Sequence, residues 1–276
     1  MSSIHEWNNP CHLDFFKYDE NGDIVGYRGY PVSGYVECHK HGFYPRYYGE
    51  GWEIRCCCPK CLEEELLAQK LAGAAIPKRF LNHSLETFET EEPWQSEALD
   101  SVKSYADDLD RNLSEGRCIV MMGNPGTGKT HLAIGLARKV IDRAGTACYV
   151  TVSDLILRVR DSWGTGKTLQ LIDNFVGVDL LILDEVGVQA GTQNEQNIIF
   201  DVINKRYAEM KPTIILTNLN VDRCKNFLGE RVWDRLKEND GLLITFKGSS
   251  YRSMARAVKT THQVKKMQIP NLIVGE

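Results

Sequence analysis

Gly123-Asn124-Pro125-Gly126-Thr127-Gly128-Lys129-Thr130 is the stretch that decides the fold. It follows the apolar run Cys118 to Met122 and opens a helix-like stretch from His131 to Ala144. At this spacing the glycines let backbone N–H groups turn inward around a triphosphate. Lys129 then reaches the β- and γ-phosphates, and Thr130 offers its hydroxyl to Mg2+. A helix that begins at the lysine adds the positive end of its dipole. The bland alternative is a glycine-rich turn with a chance Gly-Lys-Thr; the strand before and the amphipathic helix after favour the phosphate cradle.

Downstream, apolar runs alternate with helical patterns, the signature of a parallel sheet with right-handed crossovers. The expected strands are Cys118 to Met122, Ala147 to Val152, Leu180 to Leu183, Thr213 to Leu216 and Leu242 to Phe246. The third runs into Asp184-Glu185, which places two carboxylates at the carboxyl edge of the sheet beside the phosphate cradle. Asp184 is expected to hold Mg2+, directly or through water, and Glu185 to orient and polarise an attacking water. A solvated acidic turn is the competing reading. The fourth strand ends in Thr217-Asn218, where Asn218 suits sensing of the γ-phosphate or the lytic water; the plainer role is a cap for the next helix. Arg231 and Arg235 stand four residues apart, on one helical face. Alone they would be a solvated face, but near the end of an ATPase core they fit an arginine finger that reaches a neighbouring subunit's nucleotide.

The length of 276 residues accommodates one large α/β core and a smaller module. A net charge of -4 gives no global attraction for nucleic acid, so any DNA contact must come from a local basic patch or from the inner surface of an oligomer. No apolar run is long enough to span a bilayer, and MSSIHEWNNPCHLDFF lacks the basic-then-apolar pattern of a signal peptide. A cytoplasmic protein without membrane association is expected.

Six of the nine cysteines fall at or before Cys61, a clustering that points to metal rather than disulfides. Cys38-x-x-His41 and Cys58-x-x-Cys61 form two ligand pairs separated by an aromatic, glycine-containing segment. Two such turns suit tetrahedral zinc bound by three cysteines and one histidine. Registers using Cys56 or Cys57 for Cys58, or His39 for His41, stay open. A redox Cys-x-x-Cys is disfavoured, because no thioredoxin-like unit surrounds it. Upstream, Asn21-Gly22-Asp23 suggests a small hairpin, and Cys11 and His12 are lone residues of the kind that are more often structural. After the second pair, Leu62, Leu66, Leu67 and Leu71 recur at helical spacing. Asn82 to Pro93 looks like an extended linker, and Trp94 to Leu113 like an amphipathic helix that exposes Asp107, Asp108 and Asp110.

GNPGTGKTHLA, VTVSDL, DLLILDEVGVQ, LTNLN, LGERVWDRL and SYRS, in this order, resemble the DnaC-type bacterial helicase loaders of the AAA+ superfamily over about Leu85 to Ser253. The resemblance implies an α/β AAA+ P-loop ATPase core with a five-stranded parallel sheet, preceded by a small zinc-binding domain. It implies that Gly123 to Thr130 bind ATP, that Asp184 and Glu185 are the Walker B pair and that Asn218 is sensor 1. Arg235 becomes the expected arginine finger with Arg231 second, and Arg252 a phosphate-contacting sensor 2. Trp163 stands where such loaders carry an aromatic toward single-stranded DNA, and Thr192 where they carry a small hydroxyl; Asn194 departs from the Escherichia-type pattern. The Cys38 to Cys61 segment is more similar to the zinc-bearing module of Gram-positive and phage loaders. The expected layout is a helicase-interacting zinc domain over 1–72, a linker over 73–93, the ATPase domain over 94–255 and a tail over 256–276. Expected cofactors are ATP, Mg2+ and Zn2+. Expected partners are a DnaB-type replicative helicase, single-stranded DNA and further copies of the chain in an ATP-dependent oligomer. The alternative is an IstB-like transposition helper that assembles on duplex DNA.

Overall fold

Short strands separated by turn residues give the amino-terminal part of the chain an antiparallel sheet. The computed structural model describes residues 16–18, 20, 24–27, 30–49, 52–54, 58, 60–62, 64, 71, 73–188 and 192–248. The chain divides into two units, Met1–Lys70 and Leu71–Glu276. In the first, β1 (Phe16–Tyr18), β2 (Ile24–Tyr27), β3 (Tyr30–Cys38), β4 (Gly42–Gly49) and β5 (Trp52–Ile54) pair in chain order as an antiparallel meander. The expected first hairpin is present, with Phe16 opposite Tyr27. β3 and β4 close on a tight turn in which Cys38 faces Gly42, and Gly42 takes φ +74°, a conformation that favours a residue without Cβ.

The second unit is built on the five expected strands: β6 (Ile119–Gly123), β7 (Ala147–Thr151), β8 (Leu180–Val186), β9 (Thr213–Thr217) and β10 (Leu242–Phe246). All pair in parallel, in the order β10-β6-β9-β8-β7. β6, β8 and β9 are buried nearly throughout, which is why they read as unbroken apolar runs rather than alternating ones. Among the described residues, eight α-helices connect and cover them: α1 (Pro93–Asp107), α2 (Leu109–Ser114), α3 (Lys129–Asp142), α4 (Val152–Asp161), α5 (Thr168–Gly177), α6 (Gln193–Ala208), α7 (Val221–Leu228) and α8 (Glu230–Lys237). One face of the sheet, with Val120, Val150, Leu181, Leu183 and Ile215, packs on α4 to α8 in a single apolar core. The helix expected over Trp94 to Leu113 is two, broken at Asp108. Among the described residues no helix is long and apolar enough to cross a membrane.

The stretch expected as a linker, 73–93, is part of the second unit. Ala74, Ile76, Phe80 and Leu85 are buried. Ala74 O accepts the backbone N–H of Tyr149 at 2.8 Å, and Arg138 Nη1 donates to Leu81 O. Leu85 lies against α3 so closely that a Cβ on Gly135 would come within 2.8 Å of the Leu85 backbone nitrogen. The segment looked extended because its anchors are single apolar residues among polar ones, with neither helical nor strand period.

Candidate functional site

The carboxyl ends of β6, β7, β8 and β9 open into a cleft of about 760 Å³ whose lining includes Gly126 to Thr130, Asp184, Glu185 and Asn218. The phosphate-cradle glycines occupy backbone space that residues with a Cβ rarely adopt: φ is +77° at Gly126 and +103° at Gly128. A Cβ at Gly128 would sit 2.5 Å from the Phe88 ring. Gly123 and Asn124 stand behind the cleft. A Cβ at Gly123 would lie 2.2 Å from Phe246 O, and Asn124 Nδ2 donates to Gly248 O at 2.9 Å. Lys129 Nζ donates to Gly123 O at 2.6 Å, Asn124 O at 2.8 Å and Asn218 Oδ1 at 3.0 Å. The lysine and the expected sensor therefore meet in one hydrogen bond across β6 and β9.

Asn218 is spared the capping role that competed for it. Asn220 caps α7 by accepting the Arg223 N–H at 2.9 Å, and Thr217 Oγ1 donates to Val186 O at 2.7 Å, tying the ends of β9 and β8. Asp184 is buried and fully engaged. Its Oδ1 accepts the Glu185 N–H at 2.7 Å, while Oδ2 accepts Thr130 Oγ1 at 3.1 Å and Tyr149 OH at 2.8 Å. A hydroxyl and a carboxylate held together beside the phosphate cradle are the oxygen donors that Mg2+ selects. Glu185 lies within the break in the β8–β9 register between Leu183 and Val186, adopts φ +60° and is exposed in the cleft lining. A left-handed glutamate costs about 1–2 kcal/mol, and here the cost goes with turning the side chain from the strand pleat into the cleft.

Part of the cleft wall comes from the segment before α1, with Pro77, Arg79, Phe80, His83 and Phe88, and part from β7 and α4, with Thr151, Asp154 and Arg158. His83 stacks on His131 at 4.2 Å between centroids, 3° from parallel, and burial pushes its pKa down to about 4. Pro77, Arg79, Phe80, His83 and Phe88 belong to no motif, and their stretch carries no periodic signal. Tyr149 was equally hidden, as one more large residue in an apolar strand. In the register Tyr149 opposes Ile182 and Thr151 opposes Asp184, so the phenol reaches diagonally to the carboxylate.

Arg231 and Arg235 do not enter this cleft. Arg235 lies over the rings of Phe200 and Tyr207, at 5.4 and 5.2 Å, with Nη1 buried and without a hydrogen-bond partner, while Arg231 is exposed. Arg252 falls outside the described residues. Trp163 is 48% exposed just beyond α4, so it is not a core residue closing a helix end. Thr192 is committed to holding a helix start: it caps α6, accepting the Glu195 N–H while the Glu195 carboxylate accepts the Thr192 N–H. Asn194 is exposed in the first turn of that helix.

In the first unit the ligand atoms of Cys38, His41, Cys58 and Cys61 all lie within 4.8 Å of one another. Bond lengths of about 2.3 Å to sulfur and about 2.0 Å to nitrogen in a tetrahedron require edges of about 3.8 Å for S···S and about 3.5 Å for S···N. The structure has Cys38 Sγ to Cys61 Sγ at 3.6 Å, and His41 Nδ1 to the sulfurs of Cys38, Cys58 and Cys61 at 3.8, 3.6 and 3.3 Å. These four residues fit zinc. Cys56 and Cys57 fall outside the described residues, and His39 is exposed and not part of the group. Backbone N–H groups of Lys40 and His41 hold the Cys38 thiol down at about 6, while hydrogen bonding to Cys38 pushes Cys61 up to about 11. Thiols this crowded share charge poorly without a cation among them. The sequence did not reveal Glu64, one helical turn after Cys61, whose Oε1 lies 3.2 Å from His41 Nε2 and whose Oε2 pairs with Lys40. A carboxylate on the far ring nitrogen fixes the tautomer that presents Nδ1.

The profile of the family described as IstB-like ATP binding protein matches residues 101–258. The replicative helicase loader DnaC of Escherichia coli (strain K12) is 34% identical over 198 residues, covering 70% of this chain and 80% of that protein. A crystal structure of the DnaC helicase loader superposes with TM-score 0.57 at 26% identity, covering 62% of this chain and 100% of that one. AMPPCP-bound DnaA from Aquifex aeolicus shares the fold, with TM-score 0.53 at 22% identity over 69% of this chain and 57% of that one. The matched segment is the parallel α/β core that carries the cleft, and the chain belongs to the AAA+ ATP-binding family of the IstB-like proteins and DnaC-type helicase loaders.

Proposed function

We propose that the chain is an ATP-dependent loader that grips a DnaB-type replicative helicase and delivers it to single-stranded DNA. The observation that carries this reading is the joining of a DnaC-like core, complete in Lys129, Thr130, Asp184, Glu185 and Asn218, to a separate unit with a Cys3His cluster. In the core, backbone N–H groups of Gly126 to Thr130 and the Lys129 ammonium bind the phosphates, and Thr130 and Asp184 hold magnesium. Magnesium, when bound, neutralises charge across the phosphate oxygens. Glu185 takes the proton of an attacking water that Asn218 helps to place, giving ADP and phosphate. Arg235 is assigned to a neighbouring copy's nucleotide by the resemblance alone, and would have to leave the Phe200 and Tyr207 rings to reach it. Arg252 is assigned to nucleotide phosphate by the resemblance alone. Trp163, exposed as are Lys167 and Leu169 a few residues on, suits base stacking.

In the first unit, zinc held by Cys38, His41, Cys58 and Cys61 would stabilise a sheet too small to supply a large core of its own. That unit is the proposed grip on the helicase. The test is co-purification with the cognate replicative helicase, with and without ATP, using the full chain and a version that starts at Leu71. The full chain is expected to retain helicase and the shortened one to lose it. Assembly on duplex DNA without any helicase retention would instead establish the transposition-helper reading.

A further inference from the structure

We infer that Tyr149 is a positioning residue for Asp184, and that it links the cleft wall formed by residues 74–80 to the carboxylate on which metal binding depends. The inference rests on the proposal that Asp184 helps hold a magnesium–nucleotide complex. Its basis is a set of contacts that packing alone does not call for. The Tyr149 ring is buried within β7, yet its hydroxyl reaches out of the apolar layer to donate 2.8 Å to Asp184 Oδ2. The same oxygen accepts Thr130 Oγ1 at 3.1 Å, and the other oxygen accepts the Glu185 N–H at 2.7 Å. Three donors from β7, α3 and β8 thus fix both the position and the rotation of one carboxylate.

The other end of Tyr149 is held from outside the sheet. β7 is the edge strand, and Ala74 O takes the Tyr149 N–H at 2.8 Å on its open side. Phe80 meets the Tyr149 ring edge-on, at 6.0 Å and 64°. Phe80 and Tyr149 both line the cleft. A shift of the 74–80 segment, as when a nucleotide base seats against it, therefore acts on the tyrosine whose hydroxyl orients Asp184.

Tyr149→Phe removes the hydroxyl and keeps the ring. The experiment titrates Mg2+ into the full-length variant with a fluorescent ATP analogue, reads the Mg2+ midpoint of binding, and measures analogue binding without Mg2+ and thermal unfolding in parallel. Loss of one outer-shell partner of a metal-binding carboxylate is expected to raise the Mg2+ midpoint about tenfold, while metal-free binding and the melting temperature change little. Phe80→Leu, which leaves the phenol in place but loosens its support, is expected to shift the midpoint less and in the same direction. A lower melting temperature with an unchanged Mg2+ midpoint in both variants would show Tyr149 to be a packing residue only and would overturn the inference. Absence of Mg2+-dependent binding in the unsubstituted chain would instead overturn the nucleotide reading, and this inference with it.

Discussion

Removing the Glu64 carboxylate tests whether the Cys3His cluster is a tuned metal centre or a chance gathering of thiols. Glu64 ligates nothing itself; it lies 3.2 Å from His41 Nε2 and pairs with Lys40. Outer-shell partners of metal-bound histidines are worth about 10- to 100-fold in metal affinity. The side chain of Glu64 is 49% exposed, so water screens its charge, and Lys40 draws on the same carboxylate. Glu64→Ala is therefore placed at the low end, about a tenfold loss of zinc affinity. Lys40→Ala, which frees the carboxylate for His41, should leave affinity unchanged or slightly tighter. The assay is competition of the purified full-length chain against a chromophoric chelator, with Co2+ spectra to verify that the tetrahedral coordination survives. If Glu64→Ala binds zinc as tightly as the unsubstituted chain while Cys58→Ser binds it far more weakly, the tautomer argument is wrong and packing alone orients His41.

Glu185→Gln should retain nucleotide binding and lose about 10²-fold or more of steady-state hydrolysis, read as phosphate release; equal rates would remove Glu185 from the chemistry. Arg206 is buried and donates to Thr213 Oγ1 and to the carbonyls of Phe175, Val176, Val178 and Pro212. Arg206→Met leaves those acceptors unsatisfied, and after relief of the buried charge a net loss of about 3 kcal/mol is expected from the denaturant midpoint; a loss below about 1 kcal/mol would contradict this. His83 is held neutral with a pKa near 4, against 6.5 when unfolded. As pH falls from 6.5 toward 4 the unfolded chain gains a proton that the folded chain refuses, so stability falls across that window. His83→Gln should flatten this part of the melting-temperature profile, and an unaltered slope would count against the assignment.

The parts of the fold that sequence makes legible are those whose chemistry is local. Gly126 and Gly128 suit their own positive φ angles, and β6, β8 and β9 are apolar because each is covered on both faces. Asp184 and Glu185 follow a strand whose end the phosphate cradle had already located. The wall of the cleft was not legible, because Phe80, His83 and Phe88 depend on where a motif-free segment lands against α3. Neither was the left-handed turn at Glu185, which arises from a register break between β8 and β9 rather than from a residue type. Arg206 and Arg235 look alike in sequence as helix-borne cations. The first is wholly buried against the ends of α5 and β9, the second lies on two rings, and only tertiary contacts separate them.

The path of residues 74–85 also decides how the core bears mechanical load. A pull arriving along the chain meets the buried Leu71 and its hydrogen bond from the Ile76 N–H, then the Ala74–Tyr149 hydrogen bond and the buried side chains of Ile76 and Phe80, and only afterwards Leu85 on the P-loop helix. Several anchors therefore stand along the chain between Leu71 and the helix that carries the phosphate cradle. Tyr149 is the cleft-lining residue that this segment holds directly, through the Ala74 carbonyl and the Phe80 ring.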